Sequence, residues 1–376
     1  MKTTHQFLFQ DSRCLSSISS DTISLTVTSP PYPMIEMWDN LFIKQNNQIA
    51  DQLSKDDGNS AFELMHTELD RVWDEVYRVT KFGGWAAINI GDATRKIGNH
   101  FQLYSNHTRI TSKFVKMGFD ILPLILWRKT TNSPNKFMGS GMLPSGAYIT
   151  LEHEYILLFR KGHKREFKTA EEKYNRNSSA FFWEERNRWF SDTWDLKGVD
   201  QNLFNGKTRE RSAAFPFKLP YRIINMYSVK GDTVLDPFVG TGTTSLAAAI
   251  SERNSIGVEI DSNFKEIIFP KFNQISNKSY ELARSRIDNH IEFIKDYIDK
   301  KGGVKHYNRN HNFPVVTSQE KNISISYINK IELHSNNTFL AEHCEYNSNI
   351  ESNIEKEFNF YVQSNKPQEI SLFINL

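Results

Sequence analysis

Thr233-Val234-Leu235-Asp236-Pro237-Phe238-Val239-Gly240-Thr241-Gly242-Thr243-Thr244 decides the fold. Its first three residues are β-branched or apolar and read as a short buried strand. Gly240 and Gly242 let the backbone turn tightly and approach a ligand closely. Thr243–Ser251 begins a helix, whose N-terminus offers unpaired N–H groups and the positive end of a dipole. Asp236 stands at the carboxyl end of its strand, where open α/β sheets bind ligands. The next strand, Ser255–Ile260, carries Glu259, 23 positions after Asp236. A carboxylate about 20 residues past a Gly-rich turn typically takes ribose hydroxyls. No Gly-Lys-Ser/Thr follows the loop, so a phosphate grip is not expected. A nucleoside-type cofactor without a polyphosphate fits best; a purely structural turn is the competing reading.

Strands and helices alternate on either side of this stretch. Leu25–Thr28 is a strand that must stop at Ser29-Pro30-Pro31, since prolines cannot donate to a sheet ladder. Asn40–Ser60 is polar and reads as a loop. Leu64, Met65, Leu69, Val72, Trp73, Val76 and Val79 recur at helical steps, and this helix should end before Gly83-Gly84. Trp85–Ile90, Ile121–Trp127 and Glu154–Phe159 read as strands, with a helix at Thr108–Met117 between the first two. Phe215–Ser228 and Tyr280–Lys300 are helical, and Lys301-Gly302-Gly303 ends the last. The alternation predicts an α/β fold, a mostly parallel sheet with helices on both faces.

Composition bounds the function. The chain has 376 residues, with 46 Lys+Arg against 44 Asp+Glu, a net charge of +2. That excludes a polybasic protein, so any nucleic-acid surface must be a local patch. Two cysteines, Cys14 and Cys344, cannot build a disulfide framework or a cysteine zinc site. A cytoplasmic location fits this usage. No stretch approaches the roughly 20 apolar residues that span a bilayer, and Met1–Asp11 lacks the features of a secretory signal. His153 and His163 show no metal-ligand spacing, and no metal site is expected.

Thr28-Ser29-Pro30-Pro31-Tyr32 is the second stretch that carries chemistry. Two prolines make the backbone rigid at a strand end. A carbonyl held there can accept a hydrogen bond from a substrate amino group. Tyr32 offers a flat face on which a base can stack, worth roughly 1–3 kcal/mol. Alone, the pair of prolines would read as a strand cap.

Together, Ser29-Pro30-Pro31-Tyr32 and, far downstream, Asp236-Pro237-Phe238 with Gly240-Thr241-Gly242-Thr243-Thr244 resemble the DNA amino-methyltransferases of the β order. In that order the catalytic motif precedes the S-adenosylmethionine motif. Phe9-Gln10-Asp11 resembles the segment whose acid contacts the cofactor's adenine, with Gln10 where the family often has Gly. Phe215–Ser228 resembles the segment over the methionine end, and Gly257-Val258-Glu259 the ribose-binding strand end. The resemblance spans residues 5–300 and implies a Rossmann-like S-adenosylmethionine-dependent methyltransferase fold. It implies Asp11, Asp236, Pro237, Phe238, Gly240, Gly242, Thr243 and Glu259 as cofactor-binding, and Ser29, Pro30, Pro31 and Tyr32 as catalytic. Within the family, Ser before Pro-Pro-Tyr points to the exocyclic N4 amine of cytosine; adenine N6 is the alternative. The amine is a poor nucleophile, because its lone pair is delocalised into the ring. The Pro30 carbonyl and Ser29 hydroxyl can accept its two hydrogens. No Pro-Cys nucleophile is present, in agreement with chemistry that needs no thiolate. The target base must flip out of its duplex to reach such a site. Asp92 could assist Ser29 as a proton acceptor, or simply cap a turn.

Arg128–Lys168 holds eight Lys/Arg against three Glu, and Lys161–Arg211 adds Arg176, Arg186, Arg188, Arg209 and Arg211 among Trp183, Trp189 and Trp194. Charge interleaved with aromatics, where the α/β rhythm breaks, suggests a target-recognition region on double-stranded DNA. The expected division is therefore 1–160, catalytic half; 161–211, recognition; 212–300, cofactor half; 301–376, an appendage of unknown role. From Ile331 onward, two lysines face seven glutamates. The resemblance implies a protective partner of a cognate restriction endonuclease. Two readings outside this class stay open. One is a non-catalytic DNA-binding protein on a methyltransferase scaffold. The other is an RNA or protein-amide methyltransferase, although those commonly carry Asn-Pro-Pro-Tyr.

Overall fold

The computed structural model describes residues 1–129, 138–198 and 215–346. Arg209, Arg211 and the tail beyond 346 lie outside them. Ten strands form one sheet: β1 (Lys2–Phe9), β2 (Ile23–Thr28), β3 (Thr80–Ile90), β4 (Phe119–Arg128), β5 (His153–Lys161), β6 (Thr193–Asp195), β7 (Thr233–Asp236), β8 (Asn254–Glu259), β9 (Ser326–Ser335) and β10 (Thr338–Glu345). Their spatial order is β6-β4-β5-β3-β2-β7-β8-β1-β10-β9. From β3 to β1 every pairing is parallel, and antiparallel pairs flank this centre on both sides. The expected α/β architecture holds, with its parallel part in the middle.

Side-chain alternation along the central strands feeds two cores. Ala86 and Ile88 of β3 face helices α3 (Gly58–Val79) and α4 (Asn106–Met117), while Ala87 faces α7 (Lys218–Tyr227) and α8 (Thr243–Ile250). The small residues Ala247 and Ala248 let α8 lie close to the sheet. The strand order reverses between β2 and β7, which are adjacent, with Leu25 beside Val234. From β2 the chain builds outward to β3, and from β7 outward to β8 in the opposite direction. Such a reversal opens a crevice at the carboxyl ends of the two strands. Both stretches that carry chemistry, Ser29–Tyr32 and Asp236–Thr244, leave the sheet there.

Several expectations change. Asn40–Ser60 is not a loop: it forms α1 (Asp39–Gln45), α2 (Gln48–Ser54) and the capped start of α3. Buried Phe42 and Ile49 anchor the two short helices, and their polar residues are the outward faces. Strand β3 begins at Thr80 and runs through Gly83-Gly84. Part of the expected appendage belongs to the sheet: β9 and β10 lie within it, and β10 pairs antiparallel with β1, Thr3 lying opposite Ala341. Its alternating pattern turns Phe339, Ala341 and His343 inward. Helix α10 (Ile275–Lys301) packs against β9 of this added pair.

The recognition stretch also departs from expectation. It forms α5 (Ala170–Ser178), α6 (Trp183–Trp189) and the edge strand β6. Trp189 and Trp194 are buried, Trp194 in the core that holds Trp127, so neither offers a free ring. Trp183 stays partly exposed. The basic run is largely neutralised internally: Arg128 pairs with Asp195, Arg160 with Asp120, Lys161 with Asp21 and Arg165 with Asp232. Arg186 and Arg188 on α6 are exposed. Among the described residues, no helix is long and apolar enough to cross a membrane.

Candidate active site

A cleft of about 470 Å³ opens at the strand reversal. Ser29, Pro30, Pro31, Asp11, Asp236, Pro237, Phe238, Gly240, Thr243 and Glu259 all line it, residues gathered from widely separated stretches of the chain. The two halves are tied directly. Thr28 Oγ1 donates to Asp236 Oδ1 at 2.6 Å, across the β2–β7 boundary. Ser12 donates to the Pro237 carbonyl, which fixes the segment after β1 against the Gly-rich turn.

Asp236 is buried, and burial raises its carboxyl from 3.8 to about 6, against hydrogen bonds from Thr28, Thr244 and the Phe238 N–H that favour the anion. A raised carboxyl means that the folded chain holds this proton more tightly than the unfolded chain. The cost of ionising Asp236 is thus absent below pH 3.8 and complete above about 6. Asn would retain the Oδ1 that accepts from Thr28 and from the Phe238 N–H at 3.1 Å. Asp236→Asn should therefore melt no lower than the parent at pH 7, with a gain of up to about 3 kcal/mol. The advantage should grow between pH 4 and 6, and calorimetric melting across that range checks it. An equal offset at every pH would show that the charge is not the cause.

Glu259 ends β8 with both oxygens on backbone donors: the Gly240 N–H at 3.0 Å and the Asp261 N–H at 3.1 Å. Burial pushes its carboxyl up, and these two donors partly oppose the shift. Gly240 has φ +47°, and a Cβ built on it meets only the Phe238 carbonyl, at 3.9 Å, so the loop leaves a cradle there. Gly242 differs. It does not line the cleft; with φ +83° it turns the chain into α8 and packs on Ile268. Asp11 does line the cleft, held by Arg13: Nε is 2.9 Å from Oδ2, and the Arg13 N–H is 2.9 Å from Oδ1. Burial alone would raise Asp11, but the Arg13 bonds and charge win and hold it low. Arg13 also pairs with Glu68. Neither partner was evident from local sequence, since Glu68 sits inside the periodic pattern of α3.

Tyr32 is not the open stacking face expected of it. Its side chain is 8% exposed and lies outside the cleft lining, behind Ser29. Its hydroxyl donates to Glu154 Oε2 at 2.9 Å and lies 3.0 Å from Ser29 Oγ. Asn89 Nδ2 donates to Tyr32 Oη at 2.9 Å and to Glu154 Oε2 at 2.7 Å. Lys129 pairs with the other oxygen, Glu154 Oε1. Asn89 and Glu154 come from β3 and β5, so this cluster exists only once those strands pair. A charged residue starting an otherwise apolar run, Glu154–Phe159, was its one trace in sequence. Asp92 is committed elsewhere: it accepts from the His107 N–H at 3.1 Å and pairs with the His107 ring at 2.8 Å, at the start of α4.

A second polar cluster lies apart from the cleft lining. His290 Nδ1 is 2.9 Å from Glu184 Oε1, and its Nε2 is 3.0 Å from the Pro314 carbonyl. Glu320 accepts from the Trp183 N–H at 2.8 Å and from Thr317. These bonds tie α6 to α10 and to the segment before β9.

A protein-family model described as DNA methylase matches residues 23–270, from β2 to the helix beyond Glu259. The type II methyltransferase M.MthZI of Methanothermobacter thermautotrophicus is 53% identical over 341 residues, covering 90% of this chain and 95% of that protein. The type II methyltransferase M.MjaI of Methanocaldococcus jannaschii is 48% identical over 303 residues, covering 78% of this chain and 97% of its own length. Among solved structures, a Thermus thermophilus protein described as a putative DNA modification methylase, complexed with S-adenosyl-L-methionine, is 32% identical with a TM-score of 0.56. That likeness covers 72% of this chain and 94% of that one. The matched span takes in both strand ends that meet at the cleft, and the relatives align over nearly their whole length, so the chain belongs to the DNA methylase family.

Proposed function

We propose that this DNA methylase transfers a methyl group from S-adenosylmethionine to the exocyclic N4 amine of cytosine in duplex DNA, at a specific site, as the protective partner of a restriction endonuclease. The observation that carries the reading is the meeting of Ser29-Pro30-Pro31 with the Gly240 loop in one cleft, joined through Thr28 and Asp236. The residues fit the cofactor. Three carboxylates, Asp11, Asp236 and Glu259, suit the hydroxyls and cationic groups of an aminoacyl nucleoside, and the cradle at Gly240 admits it closely. Phe238, Leu69 and Val72 supply apolar wall for its base. Relatives named as type II methyltransferases support the restriction-modification setting.

S-adenosylmethionine supplies an electrophilic methyl group when bound. The chain's own part is to prepare the nucleophile and exclude water. Pro30 and Pro31 hold the strand end rigid, and the Pro30 carbonyl accepts one amine hydrogen. Ser29 Oγ accepts the other. Both interactions draw N–H density outward and return lone-pair character to the nitrogen, and they strengthen as positive charge develops there.

Digestion of DNA from an expressing host, followed by mass spectrometry of the nucleosides, tests the base. N4-methylcytosine without any ring-carbon product is expected. N6-methyladenine as the sole product would replace the base while keeping the mechanism. Absence of any methylated base, across varied DNA, would favour a non-catalytic DNA-binding protein.

DNA recognition is assigned to residues 161–211, with Arg186 and Arg188 as exposed cations on α6. Phosphate contacts release counterions, each steepening the log-log salt dependence by about 0.9. Replacing both arginines with Gln should flatten that slope by up to about 2 and leave cofactor affinity unchanged. An unaltered slope would remove these residues from the phosphate contacts.

A further inference from the structure

The hydrogen bonds behind Ser29 have a direction, and that direction is imposed from their buried end. Glu154, a carboxylate paired with Lys129, can only accept. Asn89 presents its NH2 to the same carboxylate at 2.7 Å; an amide oxygen in that place would face the anion. The Tyr32 phenol has one proton, and it goes to Glu154 Oε2 at 2.9 Å. Burial first, and then the nearby Glu154 charge, push the phenol pKa well above 10, so that proton stays in place. Tyr32 Oη is left with lone pairs only. One receives the Asn89 N–H at 2.9 Å, and the neighbouring Ser29 Oγ, 3.0 Å away, must therefore donate to it. Ser29 has a single proton as well. With that proton turned inward, and Asn89 Nδ2 a further and longer donor at 3.4 Å, Ser29 Oγ has only lone pairs left for the cleft that Ser29 lines.

We propose that Glu154, acting through Tyr32 with Asn89, is a positioning residue that makes Ser29 a pure hydrogen-bond acceptor toward the exocyclic amine of the target base. The proposal rests on the reading of Ser29 as an acceptor for that amine. A hydroxyl free to rotate could donate to the amine nitrogen instead. That would tie up the lone pair needed to attack the methyl group. The Ser29–Tyr32–Glu154 chain removes this orientation before substrate arrives, so no reorganisation is needed in the transition state. It also gives the Tyr32 hydroxyl a part of its own, although the ring is buried.

A double-mutant cycle separates positioning from simple support of the fold. Single-turnover methyl transfer from tritiated S-adenosylmethionine to unmethylated, mixed-sequence genomic DNA would be measured for four proteins: the parent, Ser29→Ala, Glu154→Gln and the double variant. Glu154→Gln keeps the shape but lets an NH2 donate to Tyr32, which reverses the chain. Its methyl-transfer rate should fall by about tenfold or more, with cofactor and DNA affinities within about twofold of the parent. In the Ser29→Ala background the same change should cost almost nothing, because no hydroxyl is left to orient. A parental rate for Glu154→Gln would overturn the proposal, and so would an equal loss in both backgrounds. Should Ser29→Ala itself transfer methyl groups at the parental rate, the acceptor reading beneath the proposal fails, and the proposal with it. If melting shows that Glu154→Gln does not fold, Tyr32→Phe takes its place in the cycle. It keeps the ring, removes the oxygen that receives the Ser29 proton, and is judged by the same outcomes.

Discussion

Gly240→Asp should weaken S-adenosylmethionine binding by at least about a hundredfold, or roughly 3 kcal/mol, while the protein stays folded. The fold survives for two reasons. A Cβ at Gly240 meets no atom closer than the Phe238 carbonyl at 3.9 Å. Its φ of +47° lies in the left-handed region, where Asp is among the better tolerated side chains. The open space that receives the new side chain is the cleft itself. There it would occupy cofactor volume and set a second carboxylate beside Glu259, whose Oε2 accepts from the Gly240 N–H at 3.0 Å. Glu259 already ionises with difficulty because it is buried, so a neighbouring anion should drive it further toward the neutral form. Titration calorimetry on the variant checks the affinity, and Gly240→Asn, of equal size and no charge, separates bulk from repulsion. Cofactor affinity retained in both variants would mean that the Gly240 loop does not cradle the cofactor.

Phe339→Ala should destabilise the protein by about 3–5 kcal/mol, the range for emptying a buried aromatic site. Phe339 lies in β10, 1% exposed, with its ring centroid 4.9 Å from that of Phe269 and 5.1 Å from that of Phe272. It also meets Phe7 of β1, at 6.4 Å. The substitution removes the side chain that joins the C-terminal strands to the first strand of the chain and to α9 (Lys265–Asn273). Urea unfolding should show a lower midpoint with the slope nearly unchanged. Residues 301–376 read from sequence as an appendage, and an appendage would make this variant nearly neutral. A loss under about 1 kcal/mol would support that reading over the one in which β10 completes the sheet.

The sequence determined what depends on neighbours along the chain. Pro30-Pro31 had to end a strand, because neither residue can donate to a ladder. Gly240 and Gly242 had to mark a turn, since positive φ suits few other residues. The alternation of strand and helix patterns required a layered α/β fold, and the structure places both motifs at the carboxyl ends of adjacent strands. Local signals also located five of the ten helices among the described residues, α3, α4, α7, α8 and α10, because the period of buried positions survives in the chain itself.

Other features were decided by contacts between residues far apart in sequence, which no local pattern encodes. Lys161 reads as a DNA-facing cation until folding sets it 2.9 Å from Asp21, 140 residues earlier. Tyr32 reads as a stacking platform until Glu154, from a strand that runs antiparallel beside β3, takes its hydroxyl. The polar residues of 40–60 read as a loop because two short helices, each with one buried anchor, show too few apolar positions for a period to emerge. The strand Thr338–Glu345 found its place only by pairing with Lys2–Phe9 at the other end of the chain. Strand pairing and ion pairing depend on distance in space, and only the completed sheet determines which distant groups lie within reach of one another.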